Sequence, residues 1–303
     1  MDKATMIEEI KRLKEEKDVI IMAHLYQPHE IQAVADYTGD SLGLSRLARE
    51  AKESCIMFCG VKFMAETAKI LSPDKKVVLP RLDGLCFMAA MVDEDEIAEM
   101  RKKHPGAAVV TYVNSTTEVK AVSDYCCTSA NAVNLCKNIP EQEIIFVPDR
   151  NLGAYIAKQV PEKNVYLVSG FCPTHHRLTV EDVEEARKKY PGVRILAHPE
   201  CQSQVLDLVD YIGSTSGILK EAKESNEKQL IIATEEGTLY RLKKESPDKE
   251  FILLSNELVC ENMKRIQLED LYQAMLTLEP EIQVDADLRV KAAVALERML
   301  QYS

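Results

Sequence analysis

The feature that most constrains this chain is a threefold internal repeat. The segments "DVIIMAHLYQ", "AAVVTYVNST" and "VRILAHPECQ" align with His24, Tyr112 and His198 in register, 88 and 86 residues apart. "DYTGDSLGL", "DYCCTSANAV" and "DYIGSTSGIL" align at Asp36, Asp124 and Asp210 with the same two spacings. "SPDKKVVLP", "VPEKNVYLV" and "SPDKEFILL" do so again at Pro73, Pro161 and Pro247. A cysteine follows in each unit: Cys86, Cys172 and Cys260. "RKKHPG" at Arg101 and "RKKYPG" at Arg187 add a further pair. Self-similarity at one period across several independent motifs means homologous structural units.

Each unit reads as strands alternating with helices. In the first, Val19–Ala23 is a short apolar, β-branched run, as a buried strand requires. A loop leads to Ser41, placed to cap a helix over 42–51. Cys55–Cys59 is a second strand, 63–71 a helix stopped by Ser72-Pro73, and 77–79 a third strand. A cysteine loop follows, then a helix over 93–103. This alternation predicts an α/β fold of three small units with parallel sheets and right-handed crossovers. The expected units are 1–105, with an N-terminal helix, 106–192, and 193–303, with C-terminal helices. Outside the repeats, Thr5 and Glu8 have capping-box spacing for the first helix. Helices over 268–275 and 287–299 are expected to cover the third unit.

Composition excludes several classes. Against 49 acidic side chains stand 38 basic ones, a net charge of −11, so a nucleic-acid-binding surface is not expected. No apolar run approaches the roughly 18 residues of a membrane span. The opening "MDKATMIEEIKRLKEEKD" does not read as a signal peptide. With no secretion signal, nine cysteines point to a reducing, cytoplasmic setting and to thiols that are buried, metal-ligating or nucleophilic.

In parallel α/β units, functional residues gather where strands end and helices begin. His24, Tyr112 and His198 end first strands. Ser41, Ser129 and Ser214-Thr215 stand at helix starts, and the three repeat cysteines lie in loops after third strands. If the units pack about a pseudo-threefold axis, one cysteine from each converges on the centre. Three thiolates suit zinc or an iron–sulfur cluster. The helix starts supply N–H groups for an anion, and His24 and His198 are expected to donate hydrogen bonds or protons near neutral pH. Cys55, Cys59, Cys126, Cys127 and Cys136 fall in strand or helix patterns and read as buried thiols.

The motifs resemble those of the quinolinate synthase family. "AHLYQPHEIQAVADYTGDSLGL", "GVKFMAETAKILSPDKKVVLP", "TYVNSTTEVKA", "CTSANAV", "PDRNLG", "HPEC", "GSTSG" and "CENMK" match it in order, over about residues 6–300. The resemblance implies three homologous three-layer α/β/α domains about a pseudo-threefold axis, with the active site at the centre. It implies condensation of iminoaspartate with dihydroxyacetone phosphate to quinolinate, with loss of phosphate and water. Cys86, Cys172 and Cys260 would ligate a [4Fe–4S] cluster whose open iron acts as a Lewis acid. His24, Ser41, Tyr112, Asn114, Ser129, His198, Ser214 and Thr215 would hold carboxylate or phosphate groups. Glu200 would bind substrate and act as general base, Tyr26 as acid, with His175 and Tyr112 beside them in catalysis. Leu25 and Ala90 depart from the family pattern, which has polar residues there. An unstable iminoaspartate implies a functional link to an oxidase or dehydrogenase that produces it. An iron–sulfur hydro-lyase for another hydroxy acid and a non-catalytic iron–sulfur sensor are the alternative readings.

Overall fold

The structure, a computed structural model, describes residues 1–302. Helix α1 (Lys3–Glu16) precedes a first unit of β1 (Val19–His24), α2 (His29–Val34), β2 (Tyr37–Gly39), α3 (Ser41–Glu50), β3 (Cys55–Cys59), α4 (Lys62–Leu71) and β4 (Lys76–Val78). Next come α5 (Glu94–Lys103), β5 (Ala108–Tyr112), α6 (Thr117–Ala121), β6 (Tyr125–Cys127), α7 (Ala132–Asn138), β7 (Glu143–Val147), α8 (Arg150–Gln159) and β8 (Asn164–Leu167), which carry the second sheet. They are followed by α9 (Pro173–His176), α10 (Val180–Lys189), β9 (Arg194–Ala197), α11 (Ser203–Leu206), β10 (Tyr211–Ile212), α12 (Thr215–Glu224), β11 (Gln229–Ala233), α13 (Thr238–Glu245) and β12 (Glu250–Leu253), which carry the third sheet. Helices α14 (Leu268–Thr277) and α15 (Ala286–Gln301) close the chain.

The α/β expectation holds. Three parallel four-stranded sheets form, ordered β2-β1-β3-β4, β6-β5-β7-β8 and β10-β9-β11-β12. Their registers are the same. Tyr37, Tyr125 and Tyr211 pair with Met22, Val110 and Leu196, and Cys55, Ile144 and Arg194 take part in equivalent pairings with Val19, Ala108 and Leu230. The inner strands β1, β3 and β5 are buried at every residue, as two-faced parallel sheets require.

The repeated aspartates explain the common register. Asp36, Asp124 and Asp210 accept the backbone N–H of Ile21, Val109 and Ile195 at 2.9, 2.8 and 2.8 Å. Each is held by a cation from the helix before the sheet: Lys14, Arg101 and Arg187. Thus α1, expected to be a cap outside the repeats, does for the first unit what α5 and α10 do for the others.

Several local expectations need correction. Each unit has four strands, not three, because the edge strands β2, β6 and β10 are only two or three residues long. Asp40, not Ser41, caps α3, accepting the Gly43 N–H at 3.0 Å. Asn131, not Ser129, holds the cap position of α7. Asp2, not Thr5, caps α1. The C-terminal helices do not cover the third unit. Helix α15 packs on α6, β6 and α4, and α14 on α1 and α2. Their buried faces, with Ala292, Leu296, Leu271 and Met275, join the core of the first two units. Among the described residues, no helix is long and apolar enough to cross a membrane.

Candidate active site

The loops that leave the strands meet around two adjoining cavities. One, of about 160 Å³, is lined by Cys86, Cys172 and Cys260, together with Tyr26, Asn114, His175 and Glu200. Each cysteine comes from a different repeat and none is in a disulfide. The other, of about 40 Å³, is lined by His24, Ser41, Tyr112, Asn114, Ser129, His198 and Thr215. Tyr26, Asn114 and Glu200 belong to both walls. Of the residues expected to ligate, bind or catalyse, Ser214 alone lines neither. Its hydroxyl accepts the Gly217 N–H at 3.1 Å and caps α12. Ala90 is exposed and Leu25 is buried, and neither lines a cavity.

A hydrogen-bonded row crosses the shared wall. Tyr26 Oη lies 2.9 Å from both Thr215 Oγ1 and Thr234 Oγ1. Thr234 Oγ1 lies 2.9 Å from His175 Nε2. His175 Nδ1 stands 2.7 Å from Glu200 Oε2 and 3.3 Å from Cys172 Sγ. A carboxylate can only accept, so the Nδ1–H donates to Glu200. Thr234 is fully buried and carries no motif, and nothing in the sequence marks it. Cys172, His175 and Glu200 bring their ligand atoms close enough together to hold one metal ion.

Burial sets the protonation states. Burial pushes the imidazoles of His24 and His198 down to about 4 and about 3, although Glu200 pulls both the other way. Burial thus disfavours the charged form of both rings and favours their role as hydrogen-bond partners. His24 Nδ1 accepts the Tyr26 N–H at 3.1 Å, so its proton sits on Nε2. His198 Nε2 lies 3.1 Å from the Ser129 hydroxyl. Burial, and then Glu200, push the phenols of Tyr26 and Tyr112 well above their ordinary range. Burial opposes ionisation of Glu200, but His198 and His175 outweigh it and hold the carboxyl below the usual range. The lining thus sets the Glu200 carboxylate, with the side chains of Asp40 and Glu261, among phenols and imidazoles whose ionisation burial disfavours. Burial also raises all three cavity thiols, Cys86 to about 12.

Two buried polar atoms in the shared wall, Glu200 Oε1 and Asn114 Oδ1, have no hydrogen-bond partner. Unpaired buried acceptors are costly and call for a ligand. The other six cysteines are buried in the cores, Cys201 among them.

Residues 8–301 match the model of the quinolinate synthetase A protein family. The chain is 49% identical over 292 residues to the quinolinate synthase of Clostridium perfringens strain 13, covering 96% of this chain and 97% of that one. It is 51% identical over 292 residues to the quinolinate synthase of Geotalea uraniireducens, covering 96% of each. With that of Alkaliphilus metalliredigens it shares 50% over 301 residues, 99% of each chain. The chain belongs to the quinolinate synthetase A protein family.

Proposed function

We propose that this chain is an enzyme that forms quinolinate by condensing iminoaspartate with dihydroxyacetone phosphate, releasing phosphate and water. The observation that carries the reading is the shared wall between the thiol-lined cavity and the polar one.

Cys86, Cys172 and Cys260 would hold a [4Fe–4S] cluster. The donor set fits that group. The three thiols share one cavity, and burial disfavours their anions. His175 and Glu200 stand within ligand distance of Cys172, and Glu261 also lines the cavity. A bound metal centre would stabilise the thiolates. When bound, such a cluster supplies an electrophilic iron that polarises a substrate oxygen or nitrogen.

The chain's own residues do the rest. His24, Ser41, Tyr112, Asn114, Ser129, His198 and Thr215 would bind the carboxylates and phosphate through neutral donors. Such donors attract an anion without repelling it when the protein's net charge is negative. The N-termini of α3 and α12 add backbone N–H groups at Ser41 and Thr215. Glu200, ionised and buried, would take a proton from substrate carbon or nitrogen. Tyr26, protonated and bonded to two threonines, would give a proton to a departing hydroxyl. His175 would hold Glu200 in orientation. The Ser214 hydroxyl accepts the Gly217 N–H and keeps its own hydrogen free to donate. The unstable imine would be supplied by an oxidase or dehydrogenase in the same, cytoplasmic, compartment.

The test is anaerobic purification followed by assay of iron, acid-labile sulfide and quinolinate formation. About four irons and four sulfides per chain are expected, with turnover abolished in Cys86→Ser. Turnover that survives that substitution would overturn the cluster assignment.

A further inference from the structure

A backbone clamp recurs in all three cysteine loops. The N–H groups of Lys62, Arg150 and Glu236 donate to the carbonyls of Gly84, Gly170 and Leu258, at 2.8, 2.8 and 2.9 Å. Each acceptor stands two residues before the loop's cysteine.

Two of the loops carry a second clamp. Asp149 Oδ2 accepts the Cys172 N–H at 3.2 Å, and Glu235 Oε1 accepts the Cys260 N–H at 3.1 Å. Asp149 and Glu235 occupy the same position of the repeat, and both are fully buried. Their other oxygens accept from nearby backbone N–H groups. Asp149 Oδ1 caps α8 through the N–H groups of Asn151 and Leu152. Glu235 Oε2 accepts the Gly237 N–H at 2.7 Å. Lys264 pairs with Glu235 at 2.9 Å and donates to the Tyr26 carbonyl at 2.7 Å, which ties this clamp to the first unit.

The first unit lacks the second clamp. Its equivalent residue is Val61, whose side chain has no acceptor. The residues beside Cys86, Leu85 and Phe87, are 50% and 61% exposed. The second-unit loop is also packed harder. A Cβ on Gly170 would meet the Pro148 carbonyl at 2.4 Å, whereas one on Gly84 would find nothing closer than 3.5 Å.

A buried carboxylate is tolerated only while its oxygens keep their donors. Opening the Cys172 or Cys260 loop strands an oxygen of Asp149 or removes a donor from Glu235. Opening the Cys86 loop strands nothing on Val61. We infer that Asp149 and Glu235 are positioning residues that fix the backbones of Cys172 and Cys260, and that the Cys86 loop is the arm that opens to admit and release iron. The second half of this inference rests on the iron–sulfur reading above; the clamps do not.

Backbone amide exchange on the full chain without iron tests the clamps. The Cys172 and Cys260 amides are expected to exchange at least about fivefold more slowly than that of Cys86, the effect of one retained hydrogen bond. Exchange as fast as at Cys86 would overturn the assignment. Asp149→Asn keeps an oxygen for the α8 cap but turns an NH₂ toward the Cys172 N–H. It should speed exchange at Cys172 by about fivefold and leave Cys260 unchanged. Glu235→Gln should do the reverse, and it provides the test if the first variant does not fold. Both amides accelerating together, or neither, would refute specific positioning. For the arm, iron is stripped with a chelator while free thiols are trapped with iodoacetamide. Partly stripped protein should carry the label on Cys86 first, and a label appearing first on Cys172 or Cys260 overturns the arm. A chain that never takes up iron would overturn the cluster reading and leave the exchange result standing.

Discussion

His175 Nδ1 lies 2.7 Å from Glu200 Oε2, with both side chains less than 5% exposed, in the wall between the two cavities. The pair joins the thiol of Cys172 on one side to the Tyr26–Thr234 row on the other. It is assembled from the α9 turn that follows Cys172 and the loop that follows β9, in the "HPEC" segment.

Glu200→Gln keeps the shape of this pair and removes its charge. A carboxylate in the proposed role of general base contributes a rate factor of about 10² to 10⁴. Quinolinate formation should fall by that order with iron content unchanged. Steady-state kinetics with parallel iron assay checks this, and a variant that retains full kcat would remove Glu200 from the chemistry.

Thr234→Val replaces a hydroxyl by a methyl of similar size. Thr234 lines neither cavity, so substrate contacts remain. The link from Tyr26 to His175 is broken, while Tyr26 keeps Thr215. The expected result is a kcat lower by about tenfold to a hundredfold through misorientation, with KM little changed. A rise in KM alone would argue against the row.

Acid should weaken the fold through His24 and His198. Their folded values, about 4 and about 3, lie below the ordinary 6.5 because burial disfavours the charged rings. Between those values the unfolded chain binds more protons, so stability rises with pH. The contribution is complete above about pH 6.5 and is lost as pH falls toward 4. For His24 it is on the order of 3 kcal/mol. Urea midpoints of the iron-free chain should fall from pH 7 to pH 5, and His24→Gln should flatten that slope.

The three aspartates beneath the sheets should behave alike. Removing Asp36, Asp124 or Asp210 leaves a backbone N–H of the first strand without its acceptor and a cation without its partner. Each change to alanine should cost about 1–3 kcal/mol. Denaturant unfolding of the three variants measures it. A cost confined to one unit would mean that the repeat is not energetically equivalent.

Much of the fold was legible because its signals are local and recur. Val19–Ala23, Cys55–Cys59 and their counterparts are continuous apolar runs, and Ser72-Pro73 stops a helix wherever it occurs. The edge strands were missed because two or three residues carry no period. The cap at Asp40 was missed because Ser41, the next residue, offers a hydroxyl for the same N–H groups, and the cap at Asp2 because it lies three residues ahead of Thr5, whose own N–H it accepts. For the site, Asp149 and Glu235 share the repeat spacing and could have been found by it. Thr234 could not, since its role depends on Tyr26, 208 residues away.

Sequence alone was enough for three α/β units and for the positions at which their chemistry would emerge. Strand and helix follow from side-chain period and from turn residues, which act over a few neighbours. Tertiary structure decided the rest. It brought the three thiols into one cavity, laid α15 across the first two units rather than the third, and turned Ser214 to its helix. It also pushed His24 and His198 toward their uncharged forms, because desolvation is a property of everything packed around a ring and not of the ring's own segment.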